Sequence, residues 1–109
     1  MELQIYTVAI DMVRQLRPLI EQIRTRYSNL ADQLRRAATS VPLNLHEGAY
    51  SQGRNVPARC HNALGSAAEV RACLDLAEAM GYLDQVDLQE AEHRSFLQAW
   101  QIRQLLPSK

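Results

Sequence analysis

The chain has little cysteine: Cys60 and Cys73 are the two thiols, thirteen residues apart. On one helix a rise of about 1.5 Å per residue would separate them by roughly 20 Å, beyond disulfide reach. That excludes a bond between them and points to buried, reduced thiols of a cytoplasmic protein. Four glycines and four prolines leave no long linker or low-complexity tail. No apolar run approaches the length of about 18 residues that a membrane helix needs, and the start, MELQIYTVAIDM, lacks a basic leader region. Neither a membrane span nor a signal peptide is expected. Gly-rich phosphate loops are also missing, since EGAYSQG lacks the Lys-Ser/Thr of a P-loop.

Net charge is absent too: twelve basic residues balance twelve acidic ones. The balance is uneven along the chain. Residues 1–59 hold eight Arg and five acids, and residues 60–109 hold three Arg, one Lys and seven acids. Strong nonspecific nucleic-acid binding usually needs a larger basic excess. The length of 109 residues fits one domain, residues 1–109, whose stability assembly could raise.

What is present is helical periodicity. Ile5, Ala9, Met12, Leu16, Leu19 and Ile23 recur at intervals of four and three, flanked by Tyr6, Val13, Ile20 and Tyr27. Pro18 is expected to kink or divide this segment near Arg17. A second stripe runs Leu30, Leu34, Ala37 and Ala38, Val41, Leu45, with Ser28 and Asn29 as caps and Gly48, Ser51 and Gly53 as the stop. The third, Cys60, Ala63, Ala67, Val70, Leu74, Ala77 and Gly81, is mostly small, which permits close helix approach. Asn55 can cap it, with Pro57 in its first turn, and Leu64, Leu76, Met80 and Leu83 widen its apolar face. Asp84 can cap a fourth segment, which is apolar on more than one face and carries Phe96, Trp100 and Leu105 before Pro107 stops it. The spacing predicts helices over about 3–26, 29–51, 56–80 and 85–106. With no alternating strand pattern, the expected fold is all-α, an antiparallel up-down-up-down four-helix bundle.

A polar line borders the second stripe. Gln33, Ala37, Ser40, Asn44, Glu47 and Ser51 repeat every four and three residues, and Asn62, Ser66, Glu69 and Cys73 do so on the third segment. Pro42 deprives the Ala38 carbonyl of its helical donor, which a side chain or water could replace. Asn44 and Glu47 are expected to face Ser66 and Glu69, with Arg36 as a counter-charge. The expected polar network is therefore Arg36, Ser40, Asn44, Glu47, Ser66 and Glu69, a hydrogen-bonded set that fixes helix register.

These residues also carry a resemblance. QLRRAATSVPLNLHEG followed by ALGSAAEVRACLDLAEAMGYL resembles the four-helix-bundle family of 23S rRNA intervening-sequence proteins, related to the accessory variability determinant proteins of diversity-generating retroelements. The family pattern runs QLRRAA, then a Ser-Ile-Pro variant, then Asn-Ile-Ala-Glu-Gly. Gln33–Ala38, Ser40, Val41, Pro42, Asn44, Leu45, Glu47 and Gly48 match it or its variants, as do Gly65, Ser66 and Glu69 on the third segment. His46 stands where the family usually has Ala. The resemblance implies a homopentamer, no catalytic residue, and, in the retroelement members, nucleic acid and a reverse transcriptase as partners. The segment after Glu47 has only Arg54 and Arg59 where many members are more basic, which argues against the retroelement role.

Chemistry is sparsely signalled. A metal-carboxylate bundle needs two Glu-x-x-His motifs, and only Glu90 and His93 make one; Leu43 and Ala58 stand where partners for His46 and His61 would be. Cys60 and His61 are adjacent, so on a helix they point about 100° apart. Trp100 and the tyrosines sit beside Leu and Ala at helical spacing and read as core or interface. No catalytic residue, metal site, cofactor or membrane partner is expected. The favoured function is a non-enzymatic homo-oligomeric docking or scaffold bundle. The alternative is an RNA- or DNA-binding adaptor using Arg14, Arg17, Arg24, Arg26, Arg35, Arg36, Arg54 and Arg59, and a metal-carboxylate bundle is the remote one.

Overall fold

The structure, a computed structural model, describes residues 2–50 and 55–84. These form three α-helices: α1 (Glu2–Arg24), α2 (Ser28–Tyr50) and α3 (Asn55–Ala79). No strand occurs among the described residues. The expected fourth helix over 85–106, the stop signals Ser51 and Gly53, and the side chains of Gly48, Asn55, Pro57 and Cys60 lie outside them.

Each helix forms because one face is apolar at helical spacing. Ile5, Ala9, Met12, Leu16, Leu19 and Ile23 of α1 are all buried. So are Leu30, Leu34, Ala37, Ala38, Val41 and Leu45 of α2, and Ala63, Ala67, Val70, Leu74 and Ala77 of α3. α2 packs against both α1 and α3. Both pairs are antiparallel. Tyr6 meets His46 and Arg24 meets Asp32 between α1 and α2, and Ser40 meets Ser66 while Asn44 meets Arg59 between α2 and α3. In each case one number rises as the other falls.

The prolines do not divide their helices. α1 runs through Pro18 and α2 through Pro42 without interruption. An internal proline costs about 3 kcal/mol. Buried Leu16, Leu19 and Ile20 around Pro18, and Val41 and Leu45 around Pro42, each recover about 1.5–3 kcal/mol by burial and hold the axis continuous.

Three local expectations need correction. Ser28 and Asn29 are inside the first turn of α2, because the Tyr27 carbonyl already accepts the first helical bond, from Ala31 N–H at 3.3 Å. Tyr27 thus stands at the cap position. Gly81 does not continue the small-residue seam but terminates α3. It has φ of 77°, and Tyr82 N–H reaches the Ala77 carbonyl at 2.7 Å while Gly81 N–H reaches Glu78 at 2.9 Å. That is the double bond pattern of a left-handed helix stop. Leu76 and Met80 do not widen the core face; they are 54% and 63% exposed. Leu76 sits about 200° around the helix from Leu74, on the far side from α2.

Candidate functional site

The polar line of α2 meets α3 through a chain of hydrogen bonds. Ser40 Oγ and Ser66 Oγ lie 2.8 Å apart, half-buried between the helices. Asn44, one turn after Ser40, donates from Nδ2 to both the Ser40 carbonyl and Ser40 Oγ, each at 2.9 Å. Its Oδ1 accepts a bond from Arg59 Nη1 at 3.3 Å. The chain therefore runs from α3 to α2 and back to α3. The side-chain donation that Pro42 invites goes to the carbonyl of Ser40, not to that of Ala38.

Beside this chain lies a cavity of about 280 Å³, lined by Arg36, Thr39, Ser40, Leu43, Asn44, Glu47 and Arg59. Six of the seven lie on α2 at helical spacing beside its core stripe, and Arg59 comes from α3. The Thr39 hydroxyl donates back to the carbonyls of Arg35 and Arg36, at 2.9 and 3.2 Å. Neither Ser40 nor Ser66 is bonded to an imidazole or a carboxylate among the described residues. The arrangement lacks the adjacent base that activates a hydroxyl nucleophile and is suited to holding a group in place.

Of the six residues of the expected network, Ser40, Asn44 and Ser66 are joined, and Arg36 and Glu47 share the cavity wall. Glu69 is not there. Antiparallel pairing about Ser40 and Ser66 sends Glu47 seven residues one way and Glu69 three residues the other, about 15 Å apart along the axis. The two carboxylates do not face each other. Glu69 instead acts on buried Cys73, whose thiol is pushed above its ordinary pKa by desolvation first and by the Glu69 charge second. Arg59 is the member that a same-level reading of the two polar lines overlooks. Counting backward along α3 from Ser66 while counting forward along α2 from Ser40 brings it opposite Glu47.

The arginines named for nucleic acid are dispersed. Arg14 is bonded to Asp11 at 2.7 Å, with both side chains exposed. Arg24 bridges to Asp32 at 2.7 Å, joining the end of α1 to the start of α2. That bond is the main cause that holds the Asp32 carboxyl below its ordinary range and raises the Arg24 guanidinium. Arg17, Arg26 and Arg35 are exposed, Arg36 and Arg59 face the cavity, and Arg54 lies outside the described residues. Among the described residues no three of His, Cys, Asp and Glu gather in a way that could hold a metal ion; Glu90 and His93 lie outside them. No helix of the described residues is long and apolar enough to cross a membrane.

The fold has a solved counterpart. A crystal structure at 1.70 Å of a protein with unknown function from the S23 ribosomal protein family of Bacteroides thetaiotaomicron VPI-5482 superposes with a TM-score of 0.89. The match covers 95% of this chain and 99% of that one at 16% identity, so it speaks for the fold alone. No curated protein matches the chain. The family model described as 23S rRNA-intervening sequence protein matches residues 1–100, nearly the whole length. The chain belongs to the 23S rRNA-intervening sequence protein family.

Proposed function

We propose that this protein is a non-catalytic docking or scaffold module, a four-helix bundle that assembles from copies of itself. The observation that carries this reading is the outer face of α3. Gly65, Ala68, Ala72, Leu76 and Ala79 form an uncharged, exposed stripe, bordered by Glu69 on one side and Asp75 on the other, with exposed Met80 just beyond the end of α3. Large apolar side chains aligned in such a stripe mark a surface that another protein covers. The charge division supports contact between unlike faces. An acidic border on α3 of one copy suits the more basic first half of the next, and unlike faces that repeat by rotation close into a ring. Five copies is the ring that the sequence resemblance implies. A cytoplasmic setting fits the free, buried Cys73 thiol.

Light scattering on the purified chain tests this reading. A multimeric mass that falls to the monomer in a Leu76→Glu, Met80→Glu double variant is the expected result. A monomeric mass for the unaltered chain would overturn it.

The second reading is the nucleic-acid adaptor. It is supported by Arg36 and Arg59, which come from different helices to the wall of one cavity. Fluorescence anisotropy with structured RNA and duplex DNA, at low and at physiological salt, tests it. Micromolar binding that falls steeply with salt is the expected signature. The near-neutral charge argues against the specific role of a retroelement accessory protein.

A further inference from the structure

We propose that Glu69 of one copy sits between Arg17 and Arg35 of the next, so that the outer face of α3 docks into the groove between α1 and α2. This inference rests on the assembly reading above and names the two faces that meet.

Three observations carry it. First, Glu69 lies at the edge of the docking stripe itself. It stands seven residues before Leu76, two helical turns, so the two side chains leave α3 within about 20° of each other. Glu69 is exposed, and among the described residues no arginine comes within ion-pair distance of it. A partner that covers this face must bring a cation, because a covered carboxylate without one is costly. An α3-on-α3 contact would instead add a second carboxylate to the same apolar face. Second, the groove between α1 and α2 holds two cations without a counter-charge. Tyr6 meets His46 toward one end of this groove, and Arg24 meets Asp32 at the other. Arg17 is two turns before Arg24 on the same edge of α1, and Arg35 is three turns before His46 on the same edge of α2. Counting between the two contacts brings Arg17 level with residues 35–39. The two guanidinium groups thus flank the groove from opposite sides. Both residues are exposed, and among the described residues neither has a carboxylate oxygen within ion-pair distance, whereas Arg14 and Arg24 do. Glu21 and Asp32, the acids nearest to them in sequence, both lie against Arg24. Like charges at close range repel until an anion enters between them. Third, both faces are apolar around their charges. Val13 and Ile10, one and two turns before Arg17, and Thr39, one turn after Arg35, are half-buried along the groove. Gly65, Ala68 and Ala72 leave α3 nearly smooth, so its backbone can approach two helices closely.

The test is light scattering over a concentration series on charge-reversed full chains. Glu69→Arg, and the pair Arg17→Glu with Arg35→Glu, should each weaken association about thirtyfold or more, the low end for one partner of a covered charge pair. An equal mixture of the two reversed chains should regain multimers, since each then meets the opposite charge. A chain carrying all three changes should assemble alone. Misfolding cannot mimic either recovery. Arg26→Glu, exposed at the turn between α1 and α2, should keep the assembled mass. A monomeric unaltered chain would overturn the assembly reading and this pairing with it. A multimeric unaltered chain whose mass survives Glu69→Arg would overturn the pairing alone and leave assembly standing. So would reversed chains that recover neither on mixing nor in combination, or an equal loss in Arg26→Glu, which would reveal a diffuse surface field.

Discussion

Ser40 Oγ lies 2.8 Å from Ser66 Oγ, across 26 residues of sequence and between two helices. This contact marks the register in which the buried stripes of α2 and α3 pack. That register places Asn44 within reach of Arg59 and carries Glu47 and Glu69 apart. A shift of one helical turn on either side would break the chain from Ser66 to Arg59.

The coupling of these two hydroxyls is measurable. Ser66→Ala should cost about 1 kcal/mol, the net worth of one part-buried hydrogen bond. Ser40→Ala should cost more, about 1–2 kcal/mol, because Asn44 Nδ2 also loses an acceptor. Together the two changes should cost less than the sum of the singles by about 0.5–1.5 kcal/mol. Denaturant unfolding of the four proteins gives the cycle, and strict additivity would count against a shared bond.

Asp32 predicts an acid-sensitive link between α1 and α2. Its carboxyl is held below the ordinary value of 3.8, chiefly by the Arg24 hydrogen bond. A folded pKa below the unfolded one means stability that is fully present above the unfolded value and lost as pH falls through the folded one. The unaltered chain should therefore be more stable than Asp32→Asn at pH 7, and the gap should close below about pH 4. Because both partners are partly exposed, added salt should also narrow the gap. Thermal unfolding from pH 7 down to pH 3 tests this, and a gap that widens on acidification would sink the assignment.

Gly81 should resist substitution. Its φ of 77° lies in the left-handed region, and space is not the obstacle, since an added Cβ would meet nothing within 4 Å. The cost of Gly81→Ala is then backbone strain, about 1–2 kcal/mol. Gly81→Asn should cost less, because Asn tolerates this region better. Equal losses from both would point to a cause other than backbone conformation.

Much of this was legible in the order of residues. The core stripes follow directly from the 3.6-residue period, which is why Ile5 through Ile23 and Leu30 through Leu45 are buried as expected. Pro18 does not divide α1, because a missing hydrogen bond is local while the burial on either side of it is larger. Gly81 was read as one more small residue of the seam, since spacing alone cannot separate a helix position from a stop that shares it. Leu76 and Met80 widen the apolar face on its exposed side, because hydrophobicity alone does not say which neighbour covers a side chain. The polar line is legible in the sequence, but its pairing depends on the antiparallel packing of α2 and α3, which the Ser40–Ser66 contact marks. Arg59 entered the site for the same reason.

Gly65 gives the opposite expectation from Gly81. It lies inside α3, exposed, and an added Cβ would meet nothing within 4 Å. Glycine in a helix interior costs about 0.5–1 kcal/mol relative to alanine, through the freedom it loses on folding. Gly65→Ala should therefore raise the unfolding free energy by that amount. Gly65 is eleven residues from Leu76, about 16 Å along the helix, so the two ends of the outer stripe can be probed separately. If docking is carried by the Leu76 and Met80 end, Gly65→Ala should keep the assembled mass while Leu76→Glu lowers it. Light scattering on both variants, read beside their unfolding curves, locates the contact. A Gly65→Ala chain that loses mass while its helix is stabilised would extend the docking face to that end, where only a residue without a side chain lets a neighbour approach.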